Sequence, residues 1–332
     1  MSRFTQAQLD GYRDLKVMPL FLTEQALLRM LKAKNRIKNA AGGLNIVWDV
    51  RLSGQSLKSF GKYAKFVASE RGDYAQATLP WGAVYADDSI SGLEMERQGA
   101  AGNLESGTIR NIRSQALDEL KVDFYKSFNT QLWNGDGLAL NGGTGVNILG
   151  ATQSVVASPA TGTYAGINRA TVSDWRNQQF AATSGPSTDA AQDAWWSVLN
   201  MKSLVSQRPM GGGTSTAPDM MLTTRAVNVL IKNKGYAQNA SVGTSVKSVD
   251  MIEGMEITID DDIAAGYAYM FSSETFELLL PPGLKTKDLV RIGYKSDMED
   301  HIHPDDEALV MYTNCQLKNM FPKGNGVITA FA

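Results

Sequence analysis

The chain has 332 residues, of which 43% are hydrophobic and 20% charged, and a formal net charge of −2 from 32 basic and 34 acidic residues. This length can bury a substantial core and allows two domains, and the composition is that of an ordinary soluble protein. No apolar run is long enough to span a bilayer, the start MSRFTQAQLDGYRDL lacks a Sec-type apolar core, and the single cysteine, Cys315, excludes an intrachain disulfide framework.

In chain order, TEQALLRMLKAKNRIK (residues 23–38) predicts an amphipathic helix, with Leu27, Leu28, Leu31 and Ile37 on one side, Thr23 as N-cap and Ala40–Gly43 as the stop. Its run Arg29, Lys32, Lys34, Arg36 and Lys38 reads as a solvated helix face. The alternative is a basic patch facing DNA or an acidic neighbour. A short amphipathic helix is stable only when its apolar face finds a partner, either a neighbouring subunit or the chain's own core. LNIVWDVRL (44–52) and QATLPWGAVYA (76–86) read as two strands of a long hairpin arm with an elaborated tip. Pro80 favours an edge position.

Residues 104–133 give the strongest signal. Ile109, Ile112, Ala116, Leu120, Phe124, Phe128 and Leu132 recur at spacings of three and four, with Asn103 and Glu105 at the start and Gly135 at the end. A helix of that length is a structural spine. The segment Trp133–Asn177 carries glycine clusters and interface-type Trp, Tyr and Arg residues, and no side chain that looks like a catalyst. A helix over 189–207 follows, then a short strand MMLTT, a helix RAVNVLIKN, strands in GMEITID and YAYMF, and strand-like ALVMYTNCQL and GVITAFA. In ALVMYTNCQL, Leu309, Met311, Cys315 and Leu317 share one face at period two, which makes Cys315 a buried structural thiol.

Motifs for chemistry are weak. His301 and His303 would point to one side of a strand and, with Asp305, Asp306 and Glu307, suggest a metal site; Pro304 breaks that strand, and a polar turn fits better. Asp260, Asp261 and Asp262 fail the EF-hand spacing, because Ala264 and Ala265 stand where a ligand and a glycine are needed, and read as a solvated turn. The glycine strings at 142–145 and 211–213 lack the Gly-Lys-Ser/Thr of a phosphate loop, and no G-x-S-x-G elbow is present. Neither an enzyme nor a cofactor is expected.

The strings Gly135-Asp136-Gly137, Gly143, Gly145, Gly162-Thr163-Tyr164-Ala165-Gly166-Ile167-Asn168-Arg169 and Asp174-Trp175-Arg176-Asn177 are similar to the turn region after the long helix in tailed-bacteriophage major capsid proteins. The element order resembles that family along nearly the whole chain. The resemblance implies an α+β Hong Kong 97-like capsid fold with an N-terminal arm (1–43), an extended β-hairpin loop (44–98), a peripheral domain with a spine helix (99–184 and 287–332) and an axial domain (185–286).

Trp48, Trp81, Tyr164, Arg169, Trp175 and Arg176 are then expected at inter-subunit or domain-junction contacts. The implied partners are further copies of the chain in hexamers and pentamers, a portal, separate scaffold or decoration proteins, and packaged DNA held by weak non-specific contact, with no membrane. The implied location is the virion capsid, assembled in the host cytoplasm. With the extended loop beginning near residue 44, a separate scaffold protein, or none, is expected. Lys58, Lys62 and Lys65 lie where some members cross-link, yet no partner asparagine is assignable, so cross-linking is not expected. The alternatives are an encapsulin-like nanocompartment shell and a metal-dependent hydrolase using His301–Glu307. The amphipathic N-terminal segment and the Trp133–Asn177 strings favour the phage capsid.

Overall fold

The structure is a computed structural model, and it describes residues 25–52, 59, 74–90, 112–141, 143, 145–182, 190–205, 217–242, 251–252, 254–282, 291–295 and 307–331. The first helix, α1 (Ala26–Ala33), is shorter than the apolar pattern predicts. Asn35 stops it by adopting φ 56°. With Asn35 left-handed, its N–H reaches the Lys32 carbonyl at 3.2 Å and the Arg36 N–H reaches Leu31 at 2.8 Å, which closes the helix as a Schellman motif. Ile37, read as the last helical apolar residue, instead opens strand β1 (Ile37–Asn39). The proposed cap Thr23 lies outside the described residues.

Strands β2 (Asn45–Arg51) and β3 (Tyr74–Pro80) pair antiparallel, with Asn45 opposite Pro80, so the proline sits at the end of the ladder as an edge position requires. The run read as one strand over 76–86 breaks at Trp81. Beyond it, β4 (Gly82–Ile90) leaves the hairpin for another sheet. The long helix α2 spans Ile112–Asn134, about 35 Å at 1.5 Å per residue. Ala116, Leu120, Phe124, Phe128 and Leu132 are all buried, as the three-four spacing demands. Ile109 lies outside the described residues.

After α2 come α3 (Ala151–Ser154), the small hairpin β5 (Thr163–Tyr164) and β6 (Ile167–Asn168), and β7 (Gln178–Ala181). They are followed by α4 (Ala190–Val205), β8 (Met220–Thr223), α5 (Arg225–Val242), β9 (Met251–Ile252) and β10 (Met255–Ile259). The last strands are β11 (Ala268–Phe271), β12 (Phe276–Leu280), β13 (Arg291–Lys295), β14 (Glu307–Asn319) and β15 (Gly326–Thr329).

Two sheets organise these elements. The first runs β1–β12–β14–β13, with β4 also laid on β14; the second runs β7–β15–β11–β8–β10–β9. The second sheet is covered on both faces, which is why β8 and β11 are buried at every residue. Met221, Ala268, Met270 and Ile328 face α4 and α5, where Val198, Met201, Val227 and Ile231 meet them. Met220, Leu222, Tyr269, Phe271 and Val327 belong to the main core with α1 and α2. The alternation of these two sets along β8 and β11 is the period of a strand read out in packing. Strands β7 and β15 come from segments expected in a peripheral domain and complete the second sheet, whereas β12 comes from the expected axial segment and joins the first.

The residue 25–40 segment finds its partner in its own chain. Leu27 and Leu31 have no exposed surface and lie in the main core, each burial contributing about 1.5–3 kcal/mol. Strand β1 runs parallel to β12. The basic run is matched by local partners: Lys32 Nζ sits 5.5 Å from the Tyr125 ring centre, Lys34 pairs with Asp219 at 3.2 Å, and Lys38 bonds Glu277. Those three cations are exposed to solvent, as the reading of a solvated face expects, and each also has a partner in this chain.

Candidate functional site

The segment from Trp133 to Asn177 is a knot of short turns clamped over the long strand β14. It starts with close backbone approaches that only glycine allows. A Cβ on Gly135 would overlap the Ile148 carbonyl oxygen, and one on Gly150 would overlap the Trp133 carbonyl. Those absences let the Gly150 N–H reach the Gly135 carbonyl at 2.8 Å, folding the loop back on the helix end. The loop is then tied to both neighbouring strands, through Ala83 N–H to the Val146 carbonyl at 2.9 Å and Leu149 N–H to Gln316 Oε1 at 3.2 Å. Trp133 packs into the main core against Tyr269 and Phe271, with ring centres 5.2 and 5.8 Å away.

The β5–β6 hairpin turns through Ala165 (φ 51°) and Gly166 (φ 79°), two successive left-handed residues as a type I′ turn requires. This turn presents Tyr164 inward. Its ring stacks on Trp175 with centres 6.1 Å apart, and the Trp175 indole N–H donates to the Tyr164 carbonyl at 3.1 Å. The Tyr164 hydroxyl accepts the Asn319 N–H at 2.9 Å, at the end of β14. Burial pushes the Tyr164 phenol well above the usual tyrosine range, so it stays protonated while the chain is folded.

Arg169, 2% exposed, lies 5.5 Å from the Tyr164 ring centre. One terminal nitrogen donates to the carbonyls of Gln153 and Ser154 at 2.7 and 2.9 Å, closing the C-terminal end of α3 where a cation meets the negative end of the helix. Burial lowers the guanidinium's pKa, with the Tyr164 interaction opposing the shift. Among the described residues its Nε has no hydrogen-bond partner. Arg176 wraps the same turn from outside, donating to the carbonyls of Arg169 and Ala170 at 2.6 and 2.8 Å.

The hairpin base joins this knot. Trp48 lies 6.5 Å from Trp175 between ring centres, Lys318 Nζ sits 4.8 Å over the Trp48 ring, and Thr78 N–H donates to the Ala165 carbonyl at 2.9 Å. Trp81 packs at its margin and donates its indole N–H to the Gly43 carbonyl at 3.0 Å. The six residues singled out in the sequence thus fall on one region: Trp48, Trp81, Tyr164 and Trp175 share a cluster, and the two arginines brace the turn that positions it.

Sequence reasoning missed two buried polar centres. Asn325, without exposed surface, accepts the Ser272 N–H at 3.0 Å and donates to Thr275 Oγ1 at 2.8 Å, to the Phe321 carbonyl at 3.1 Å and to Asn319 Oδ1 at 3.3 Å. Asn319 in turn donates to Ser154 Oγ, so one network joins the ends of β14 and α3 to the turns that precede β12 and β15. The only sequence signal was asparagine at the end of a strong apolar strand and again before the last one. The second centre corrects the reading of Asp260–Asp262 as a solvated turn. Asp260 has no exposed surface, because the turn leaving β10 is covered by α1 and α2. Asp261 faces outward and pairs with Arg225 at 3.1 Å.

Among the described residues no group of three or more His, Cys, Asp or Glu side chains is placed to hold a metal. His301, His303, Asp305 and Asp306 lie outside the described residues. No helix among the described residues is long and apolar enough to cross a membrane. Cys315 has no exposed surface on the apolar face of β14, and burial pushes its thiol up to about 12.

No protein-family model matches the sequence, and no curated protein matches it. Among solved structures, the chain is similar to a subunit of the cyanophage A-1(L) capsid asymmetric unit, with a TM-score of 0.68 at 17% identity over 98% of each chain. It is similar to the capsid of Myoviridae phage XM1, with a TM-score of 0.60 at 9% identity, covering 99% of this chain and 100% of that one. It is also similar to the SrpI encapsulin of Synechococcus elongatus PCC 7942, with a TM-score of 0.53 at 10% identity over 96% and 95% of the two chains. The chain therefore has the α+β fold of capsid and shell subunits.

Proposed function

We propose that the chain is a structural major capsid protein of the tailed-bacteriophage type, which self-assembles into an icosahedral head shell around double-stranded DNA. The observation that carries this reading is the fold likeness to phage capsid subunits over 98% or more of both chains. The likeness runs along almost the whole of both chains rather than over one shared module. In this reading the chain divides in a Hong Kong 97-like way: an arm (1–43), an extended loop (44–98), a peripheral domain (99–184 and 287–332) and an axial domain (185–286). The Tyr164–Arg169–Trp175 knot, with Trp48, Trp81 and Arg176, is the rigid joint that sets how the hairpin leaves the body.

A shell subunit needs such joints, because many individually weak contacts hold it only if their geometry is fixed. A net charge of −2 also suits a wall that encloses DNA without gripping it. Hexamers and pentamers of the chain, a portal, separate scaffold or decoration proteins and assembly in the host cytoplasm belong to the same proposal.

The second reading, an encapsulin-like compartment, is favoured by the SrpI likeness. Particles isolated from the producing cell separate the two. A capsid protein is recovered from dense, DNA-filled particles attached to tails, whereas a compartment protein is recovered from nucleic-acid-free shells containing enzyme cargo.

A further inference from the structure

Helix α1 begins without a local cap: Gln25 makes no side-chain capping bond, and the first turn holds no acidic residue. The first N–H groups of a helix need acceptors and favour negative charge nearby. One acceptor arrives from 233 residues away, where the Leu27 N–H donates to Asp260 Oδ2 at 3.2 Å. The other oxygen accepts Asn129 Nδ2 from α2 at 3.3 Å and the Asp262 N–H at 3.1 Å. The Trp133 indole favours the charged form of the same carboxylate without making a hydrogen bond to it. Asp260 is itself fixed to the second sheet, its N–H donating to the Thr223 carbonyl at 3.0 Å. One fully buried residue thus ties α1, α2 and β8 together, α1 and α2 through its carboxylate and β8 through its backbone N–H. A buried charge is costly unless its lone pairs are used, and here the bonds that use them join separate elements.

We propose that Asp260 is the positioning residue of the arm, a remote N-cap that docks α1 onto α2, so that altering this carboxylate frees α1 as a unit while the sheets stay folded. The inference concerns the chain's own folding and does not depend on shell assembly.

The surroundings give this cap a pH dependence. From α1 the carboxylate meets a backbone N–H, and from α2 it meets Asn129 and Trp133, neither of which titrates. From its own turn it meets Asp262, whose oxygens are held by Asn129 and by Thr130 at 2.8 Å. Asp261, next in sequence, is engaged by Arg225. Burial raises the Asp260 carboxyl above the ordinary aspartate range. The hydrogen bonds oppose that shift, and the like charge of Asp262 adds to it. Releasing α1 exposes the group and returns it toward its ordinary value. Between the two values the docked state binds more protons than the released one. The protonation contribution to docking is therefore fully present below the ordinary value and is lost as pH rises through the raised one.

Hydrogen–deuterium exchange on the unassembled chain tests this, with protection factors corrected for intrinsic rates across a pH series running from neutral down to the ordinary aspartate range. In the unaltered chain, peptides covering Ala26–Ala33 should gain protection on acidification. Asp260→Asn should remove that pH slope. Asp260→Ala should lower α1 protection about 10-fold or more while β12 and β14 keep theirs. The proposal is overturned if Asp260→Ala leaves α1 as protected as before, or if Asp260→Asn retains the slope. Should Asp260→Ala not fold, the Asp260→Asn profile decides alone.

Discussion

Tyr164→Phe isolates one hydrogen bond at the centre of the knot. The ring remains, and with it the stack on Trp175 and the apolar surface under Arg169. Only the oxygen is lost, leaving the Asn319 N–H, held at 2.9 Å on a residue without exposed surface, with no acceptor and no route to water. An orphaned buried donor costs about 1–3 kcal/mol, and deleting the buried hydroxyl offsets part of that, so the net loss is about 1–2 kcal/mol. In thermal unfolding of a chain of 332 residues, that corresponds to a Tm lower by about 1.5–3 °C. Differential scanning calorimetry of the two proteins side by side measures it. Tyr164→Leu, which also forfeits the stack, should fall further. A Tm for Tyr164→Phe equal to that of the parent would refute the argument, because it would mean that β14 is not pinned to the turn through this bond. Alkaline titration provides a companion check. Tyr164, held up by burial, should ionise only on unfolding.

Gly135→Ala would place a methyl between two carbonyl oxygens, overlapping Ile148 and 2.6 Å from Gln131. A loss of about 3 kcal/mol is expected, read as a lower Tm and soluble yield. Gly145→Ala, whose Cβ would meet nothing within 4 Å, is the control and should match the parent. Cys315 should resist a disulfide thiol reagent at mildly alkaline pH, since burial both blocks access and holds the thiol protonated up to about 12. Because the folded thiol titrates above its unfolded value, this group's stabilising contribution is lost as pH rises from the unfolded value through the folded one. Rapid labelling of the folded chain would contradict the burial.

What the sequence disclosed was whatever local periodicity encodes. The three-four spacing from Ala116 to Leu132 gives α2, and the period-two face Leu309, Met311, Cys315, Leu317 gives β14; both sets are buried as that spacing implies. The Trp133–Asn177 segment was legible as glycine-dependent, and four of its aromatic and arginine residues meet in one knot with Trp48. What stayed hidden depends on partners distant in sequence. Three consecutive aspartates look like a solvated turn until Leu27 and Asn129 are brought onto Asp260. Lys32, Lys34 and Lys38 are exposed as their sequence suggests, but their partners Tyr125, Asp219 and Glu277 come from distant segments. The break at Trp81 was invisible for the same reason: β3 and β4 differ in which strand they pair with, not in local composition.

Negative-stain electron microscopy of the expressed full-length chain, alone and with a candidate scaffold protein from the same source, tests the capsid reading most directly. The account predicts closed, uniform shells with icosahedral outline, or rings of five and six subunits on the way to them. A product that stays strictly monomeric under all assembly conditions, with or without scaffold, would contradict it.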